Sequence, residues 1–167
     1  FKDYLNAKGE EITDFYEETI KGDFLDGVGS VRKINVKEEY FKAIKDGLKF
    51  GDKRIKAVLD PGNGTTSIIL KDLYSMFPID FTIINGESDG TFPNHHPDPS
   101  IEANLEQLKK KVLETGADIG VSFDGDGDRV GVITNEGKFL PCDYYMILII
   151  RDIIDKVKNK TFLYDVK

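Results

Sequence analysis

The chain has 167 residues, 40% of them hydrophobic and 32% charged, enough apolar material for one domain, or for one domain with pieces of its neighbours. A formal net charge of -7 without any basic cluster argues against nucleic acid as a partner. The lone cysteine, Cys142, rules out an internal disulfide framework and fits a reducing, cytoplasmic setting, and the longest apolar run, Tyr144 to Ile150, is far shorter than the roughly 20 residues that span a bilayer.

The first ten residues are polar and charged and carry no signal-peptide pattern. Phe1 to Leu5 reads as a strand ending at the turn Asn6-Ala7-Lys8-Gly9. Glu11 to Ile20 reads as a short helix with Ile12, Phe15, Tyr16 and Ile20 on one side, and the glycine-bearing stretch from Asp23 to Asn35 as a loop. A second helix is expected from Lys37 to Leu48, with Tyr40, Phe41, Ile44 and Leu48 in line. The polar run 50–54 then marks a boundary, and the main domain is expected to begin near Ile55.

From there strands and helices alternate. Ile55 to Leu59 is a short apolar strand that ends in Asp60-Pro61-Gly62-Asn63-Gly64. A helix is expected from Thr65 to Phe77, a strand from Phe81 to Ile84, and a Gly/Pro-rich loop from Asn85 to Pro99. Ser100 reads as the N-cap of a helix that carries Ile101, Leu105, Leu108 and Val112 at helical spacing and stops at Gly116. Ile119 to Phe123 and Val130 to Thr134 are apolar strands, the second turning at Asn135-Glu136-Gly137. A last helix, Asp143 to Val157, is expected to bury Met146, Ile149, Ile150, Ile153 and Ile154. The order implies a layered α/β domain, a mostly parallel mixed sheet flanked by helices, preceded by part of another domain. Phe1 in place of a methionine and a strand-like 161–166 suggest a piece of a longer protein.

Between the last two long strands stands Asp124-Gly125-Asp126-Gly127-Asp128-Arg129. Carboxylates this dense repel one another unless a cation sits among them. Oxygen donors select a hard ion, so Mg²⁺ is expected, with Ca²⁺ or Mn²⁺ as alternatives. In an extended turn Asp124, Asp126 and Asp128 point the same way, and positive φ at Gly125 and Gly127 lets the backbone approach the ion. Three protein ligands leave coordination positions for water or a phosphate oxygen, and Arg129 adds a planar donor fork suited to phosphate. An EF-hand does not fit: loop positions six and twelve, which need Gly and Glu, hold Arg129 and Asn135. A solvated turn leaves the repulsion uncompensated. An aspartate-nucleophile phosphatase, with Asp124 as nucleophile and Asp126 as general acid, is a second catalytic reading, and a non-enzymatic metal-binding module a third.

Taken together the motifs are familiar. Asp124 to Arg129 resembles the metal-binding loop of the α-D-phosphohexomutases. Asp60 to Gly64 resembles the glycine-rich turn that opens their second domain, Gly90-Thr-Phe-Pro-Asn-His-His-Pro-Asp-Pro99 is similar to a loop of the bacterial phosphomannomutase/phosphoglucomutase members, and Tyr164 to Lys167 to the first strand of their third domain. The resemblance implies that residues 1–54 are the end of domain 1, 55–158 domain 2 with the metal loop, and 159–167 the start of domain 3. It implies exchange of a phosphoryl group between a phosphoserine and a hexose 1- or 6-phosphate by way of a bisphosphate, with Mg²⁺ on Asp124, Asp126 and Asp128 and Arg129 on the phosphoryl group. Lys2 matches a family lysine with an acid/base role at the sugar hydroxyl. The serine loop, by the same resemblance, lies just before Phe1, so this piece alone is expected to be inactive and to work with the remaining domains.

Other candidates have plainer explanations. His95 and His96 are adjacent, point apart in extended chain, and have no third soft ligand nearby. Asp60 to Gly64 lacks the Lys and Ser/Thr of a P-loop and reads as a tight strand-to-helix turn. Cys142 is expected to be buried and structural.

Overall fold

The computed structural model describes residues 10–22, 24 and 27–163, with side chains from Ile12 onward. The expected strand at Phe1 to Leu5, Lys2, and the segment Tyr164 to Lys167 lie outside the described residues. The chain divides into two compact units, residues 1–38 and 39–167.

In the first unit, helix α1 (Glu10–Lys21) covers the expected span. It ends at Gly22, whose φ of 67° is costly for a residue with a Cβ. Phe15 is half-buried, whereas Ile12, Tyr16 and Ile20 are exposed.

The second unit carries a five-stranded sheet in the order β2-β1-β3-β4-β5. The strands are β1 (Ile55–Asp60), β2 (Ile79–Ile83), β3 (Ile119–Phe123), β4 (Val130–Thr134) and β5 (Phe139–Leu140). β1 runs parallel to β2 and to β3, while β3/β4 and β4/β5 are antiparallel. Helices α3 (Ser67–Tyr74), α4 (Glu106–Thr115) and α5 (Cys142–Ile153) contact the sheet's strands, and α2 (Lys37–Gly47) precedes β1 in the chain.

The period-2 alternation of β1 supplies both cores. Val58 faces Leu105, Leu108, Val112, Ala117 and Ile133. Ala57 and Leu59, one residue either side, face Leu70 and the partly buried Phe81, Ile119 and Val121. Helix α4 lies on the first face because its i, i+3, i+4 positions are apolar. It stops at Gly116, whose φ of 62° lets its N–H bond Val112 O.

Three local expectations are overturned. Ser100 does not cap a helix. A 3-10 turn over Glu102–Leu105 precedes α4, and the Ser100 hydroxyl instead donates to Asp98 at 2.7 Å. Ser and Asp two residues apart satisfy each other locally before any helix starts. Helix α5 buries none of its residues, with Ile149 54% exposed, so its apolar side chains are not core among the described residues. Cys142, its first residue, is exposed rather than buried.

The topology decides where a ligand can sit. From β1 the chain crosses to β2 on one side, then returns through α4 to β3 on the other. The connections leaving the carboxyl ends of β1 and β3 diverge there, which opens a crevice at a topological switch point. The turn after β1 and the acidic loop after β3 both lie at that edge.

Candidate metal centre

β3 and β4 form a hairpin in which Phe123 pairs with Val130, so residues 124–129 make its loop. Asp124 N donates to Arg129 O at 3.2 Å and closes it. The loop is not the extended turn expected. It bends around the Asp124 carboxylate, whose Oδ1 accepts the N–H groups of Gly127 and Arg129, both at 3.0 Å. Among the loop glycines only Gly127 has positive φ, at 81°, and Gly125 does not. A Cβ at Gly127 would also come within 2.3 Å of Thr66 Cγ2.

This bend brings the three aspartates together: one carboxylate oxygen from each of Asp124, Asp126 and Asp128 lies within 4.8 Å of the others. Oxygen ligands on one ion of Mg²⁺ size stand about 3 to 4 Å apart, so the donor set fits a hard divalent cation with small side-chain adjustment. Asp124 is buried at 2% exposure, while Asp126 and Asp128 are exposed. One anchored and two accessible carboxylates suit an ion that must also meet a substrate.

The electrostatics show what the crowding does. Burial works to raise the Asp124 pKa, but the backbone N–H and guanidinium of Arg129 outweigh it and hold the group below the usual carboxylate range. The repulsion falls on Asp128, whose pKa is raised by its hydrogen bond to Asp124 and by the negative charges of Asp126 and Asp124. A proton shared in this way occupies the place where a cation would neutralise the cluster.

Arg129 folds back on its own loop while staying exposed. Its Nε donates to Asp124 Oδ2 at 2.8 Å and its Nη1 to Asp98 Oδ1 at 3.2 Å. A cleft of about 390 Å³ runs beside the loop, with Asp128 and Arg129 on one wall and Pro99, Ser100, Val130 and Tyr145 among its other lining residues.

The neighbouring turn locks the loop in place. Thr65 donates its backbone N–H and its hydroxyl to Gly125 O, at 2.9 and 3.2 Å. Gly64 is required there, since a Cβ would stand 2.8 Å from that same carbonyl oxygen. Asp60 is not a ligand of the acidic cluster. Its Oδ1 accepts from Gly62 N and Asn85 Nδ2, and its Oδ2 meets His95 Nε2 at 3.0 Å. His95 Nδ1 faces His96 O, also at 3.0 Å. Both ring nitrogens therefore face oxygen acceptors, which calls for an imidazolium with two N–H donors, and the His95 pKa is raised, first of all by the hydrogen bond to Asp60.

The Asp60–His95 pair escaped the sequence reading. Its one signal was an aspartate closing an apolar strand combined with a histidine in a proline-bound loop. The acidic cluster includes neither histidine, and the two ring nitrogens of His95 are taken up by Asp60 and by His96 O. No helix of the described residues is long and apolar enough to cross a membrane.

Comparison with known proteins agrees with this architecture. Residues 38–137 match the family described as phosphoglucomutase/phosphomannomutase, alpha/beta/alpha domain II. A "Phosphomannomutase/phosphoglucomutase" of Pseudomonas syringae is 39% identical over 158 residues, covering 95% of this chain and 34% of the relative. A "Phosphomannomutase" of Methanocaldococcus jannaschii is 32% identical over 160 residues, 96% of this chain and 34% of the relative. The crystal structure of a phosphoglucomutase/phosphomannomutase family protein from Burkholderia thailandensis superposes with a TM-score of 0.78 at 32% identity, covering 90% of this chain and 32% of that one. The chain thus spans about a third of the length of the relatives it matches. On sequence and fold together, the chain belongs to the phosphoglucomutase/phosphomannomutase family, and its sheet is that family's α/β/α domain II.

Proposed function

We infer that this chain is the metal-holding part of a phosphohexomutase that interconverts hexose 1-phosphate and hexose 6-phosphate. The observation that carries the reading is the convergence of Asp124, Asp126 and Asp128 at the switch-point edge of the sheet, in a chain of this family. Residues 1–54 are read as the end of a first domain, 55–158 as the second and 159–167 as the start of a third. Sugar phosphate binding and the phosphoserine belong to the whole polypeptide, so this piece alone is inactive.

The three aspartates would hold Mg²⁺, which supplies positive charge against the oxygens of a phosphoryl group in transfer. The chain's own residues then do the rest. Asp124, fixed by backbone donors, sets the position of the cluster. Arg129 offers its unengaged N–H groups to the same phosphoryl oxygens. In each half-reaction one phosphorus–oxygen bond to serine breaks while one to a sugar hydroxyl forms, or the reverse, and the hydroxyl proton passes to a base, the role read for Lys2. Neither the family match nor the structural match points to an aspartate-nucleophile phosphatase.

The test is turnover by the intact polypeptide of glucose 1-phosphate and mannose 1-phosphate, with Mg²⁺ and after its removal by chelation. Activity that requires the metal and falls at least about 10³-fold in Asp126→Ala supports the reading. Full activity in the chelated enzyme or in the variant would reject it.

A further inference from the structure

The loop between β2 and α4 has no role so far beyond shape, yet it lies against both the acidic loop and β4, the strand that leaves it. A Cβ at Gly125 would lie 3.6 Å from both Phe92 Cζ and Pro97 Cγ, so those side chains rest directly against the metal loop. On the other flank, a Cβ at Gly131 of β4 would come within 2.8 Å of Pro99 Cβ and 2.9 Å of Pro99 O, so Pro99 can lie on β4 only because residue 131 is glycine. Pro97 and Pro99 are both buried, and each fixes its own φ.

Asp98 stands between these two prolines, and its surroundings hold it still. Its carbonyl accepts Asn104 Nδ2 at 2.9 Å, and its N–H donates to His96 O at 2.8 Å. Its Oδ1 accepts the N–H and the hydroxyl of Ser100, at 3.1 and 2.7 Å. That same oxygen receives Arg129 Nη1. The guanidinium is planar, and two anchors on different nitrogens, Asp124 on Nε and Asp98 on Nη1, fix its plane, where one anchor would leave it free to swing. Nη2 keeps no hydrogen-bond partner among the described residues.

We propose that Asp98 is a positioning residue for phosphoryl transfer: it holds the Arg129 guanidinium at a set angle beside the Asp124–Asp126–Asp128 cluster, with Nη2 left to bind the transferring group. The proposal rests on the mutase reading above. Asp98 touches neither substrate nor ion; it acts through Arg129. Because the Arg129 side chain is 57% exposed and that of Asp98 20%, their contact adds little to stability, and its consequence is orientation.

The test uses the intact polypeptide and Asp98→Asn, which retains an oxygen for Ser100 but loses the charge that holds Nη1. Two readouts separate this proposal from the mutase reading. In the first, nitrogen-detected NMR follows rotation about the Arg129 Nε–Cζ bond. Slow rotation in the wild type that quickens in Asp98→Asn supports positioning, and equal rotation in both overturns it, whatever reaction the protein catalyses. In the second, Asp98→Asn lowers kcat about tenfold with Mg²⁺ affinity unchanged and has no further effect in an Arg129→Ala background, while Asp98→Glu recovers part of the loss. Equal losses in both backgrounds would mean that Asp98 acts on the fold rather than through Arg129. A wild type without mutase activity removes the functional reading and leaves the NMR result to decide the geometry.

Discussion

Asp128 carries the cost of crowding three carboxylates, and its protonation should be visible. Its raised pKa means that below that value a proton must leave before a cation can enter. Divalent-metal affinity should therefore rise with pH through the upper carboxylate range and level off once Asp128 is ionised. Calorimetric titration with Mg²⁺ between pH 4 and pH 8 would show this, and an affinity that stays flat across the window would count against a proton-coupled site. His95 makes the opposite prediction for stability. Its folded pKa is raised by Asp60, so its contribution is complete below the ordinary imidazole pKa of about 6.5 and fades as pH rises through the folded value. Removing the ring in His95→Ala leaves Asp60, with no exposed surface, without its cationic partner. A loss of about 3–5 kcal/mol is expected at pH 6 from denaturant unfolding, and a smaller loss at pH 9.

At the scale of elements, the sheet and α4 make the platform on which the loop is built. Leu108 is fully buried between α4 and β1. Leu108→Ala should cost about 2–5 kcal/mol, measured by urea unfolding, while leaving the geometry of the acidic loop intact. Much of this layer was legible in the chain. Ile119–Phe123 and Val130–Thr134 appear as strands over the residues expected, because β-branched alternation bounded by Gly and Asp has few other solutions. Leu105, Leu108 and Val112 form the core at their helical spacing. Helix α5 reads as core and is not: periodicity records which face a helix could bury, not what lies beside it. The partners of Asp60 and Arg129 were also invisible. His95 and Asp98 stand 35 and 31 positions away in the chain, and only the packing of the 85–99 loop across β1 and β4 makes the pairs. The bend of the acidic loop, with positive φ at Gly127 alone, follows from donors converging on Asp124, which spacing alone does not reveal.

For the whole molecule, the proposed hard-ion site at the diverging carboxyl ends of β1 and β3 is what would join fold to function. Everything proposed for phosphoryl transfer, from the stance of Arg129 to the service of Asp98, presumes that a cation sits among Asp124, Asp126 and Asp128. Diffraction from crystals soaked in Mn²⁺, which shares the oxygen preference and octahedral geometry of Mg²⁺ and scatters anomalously, tests this most directly. A single strong anomalous peak is expected within coordination distance, about 2.0–2.3 Å, of oxygens from all three aspartates, absent in Asp126→Ala. A loop that shows no peak at saturating Mn²⁺, with Arg129 still closed on Asp124, would contradict it.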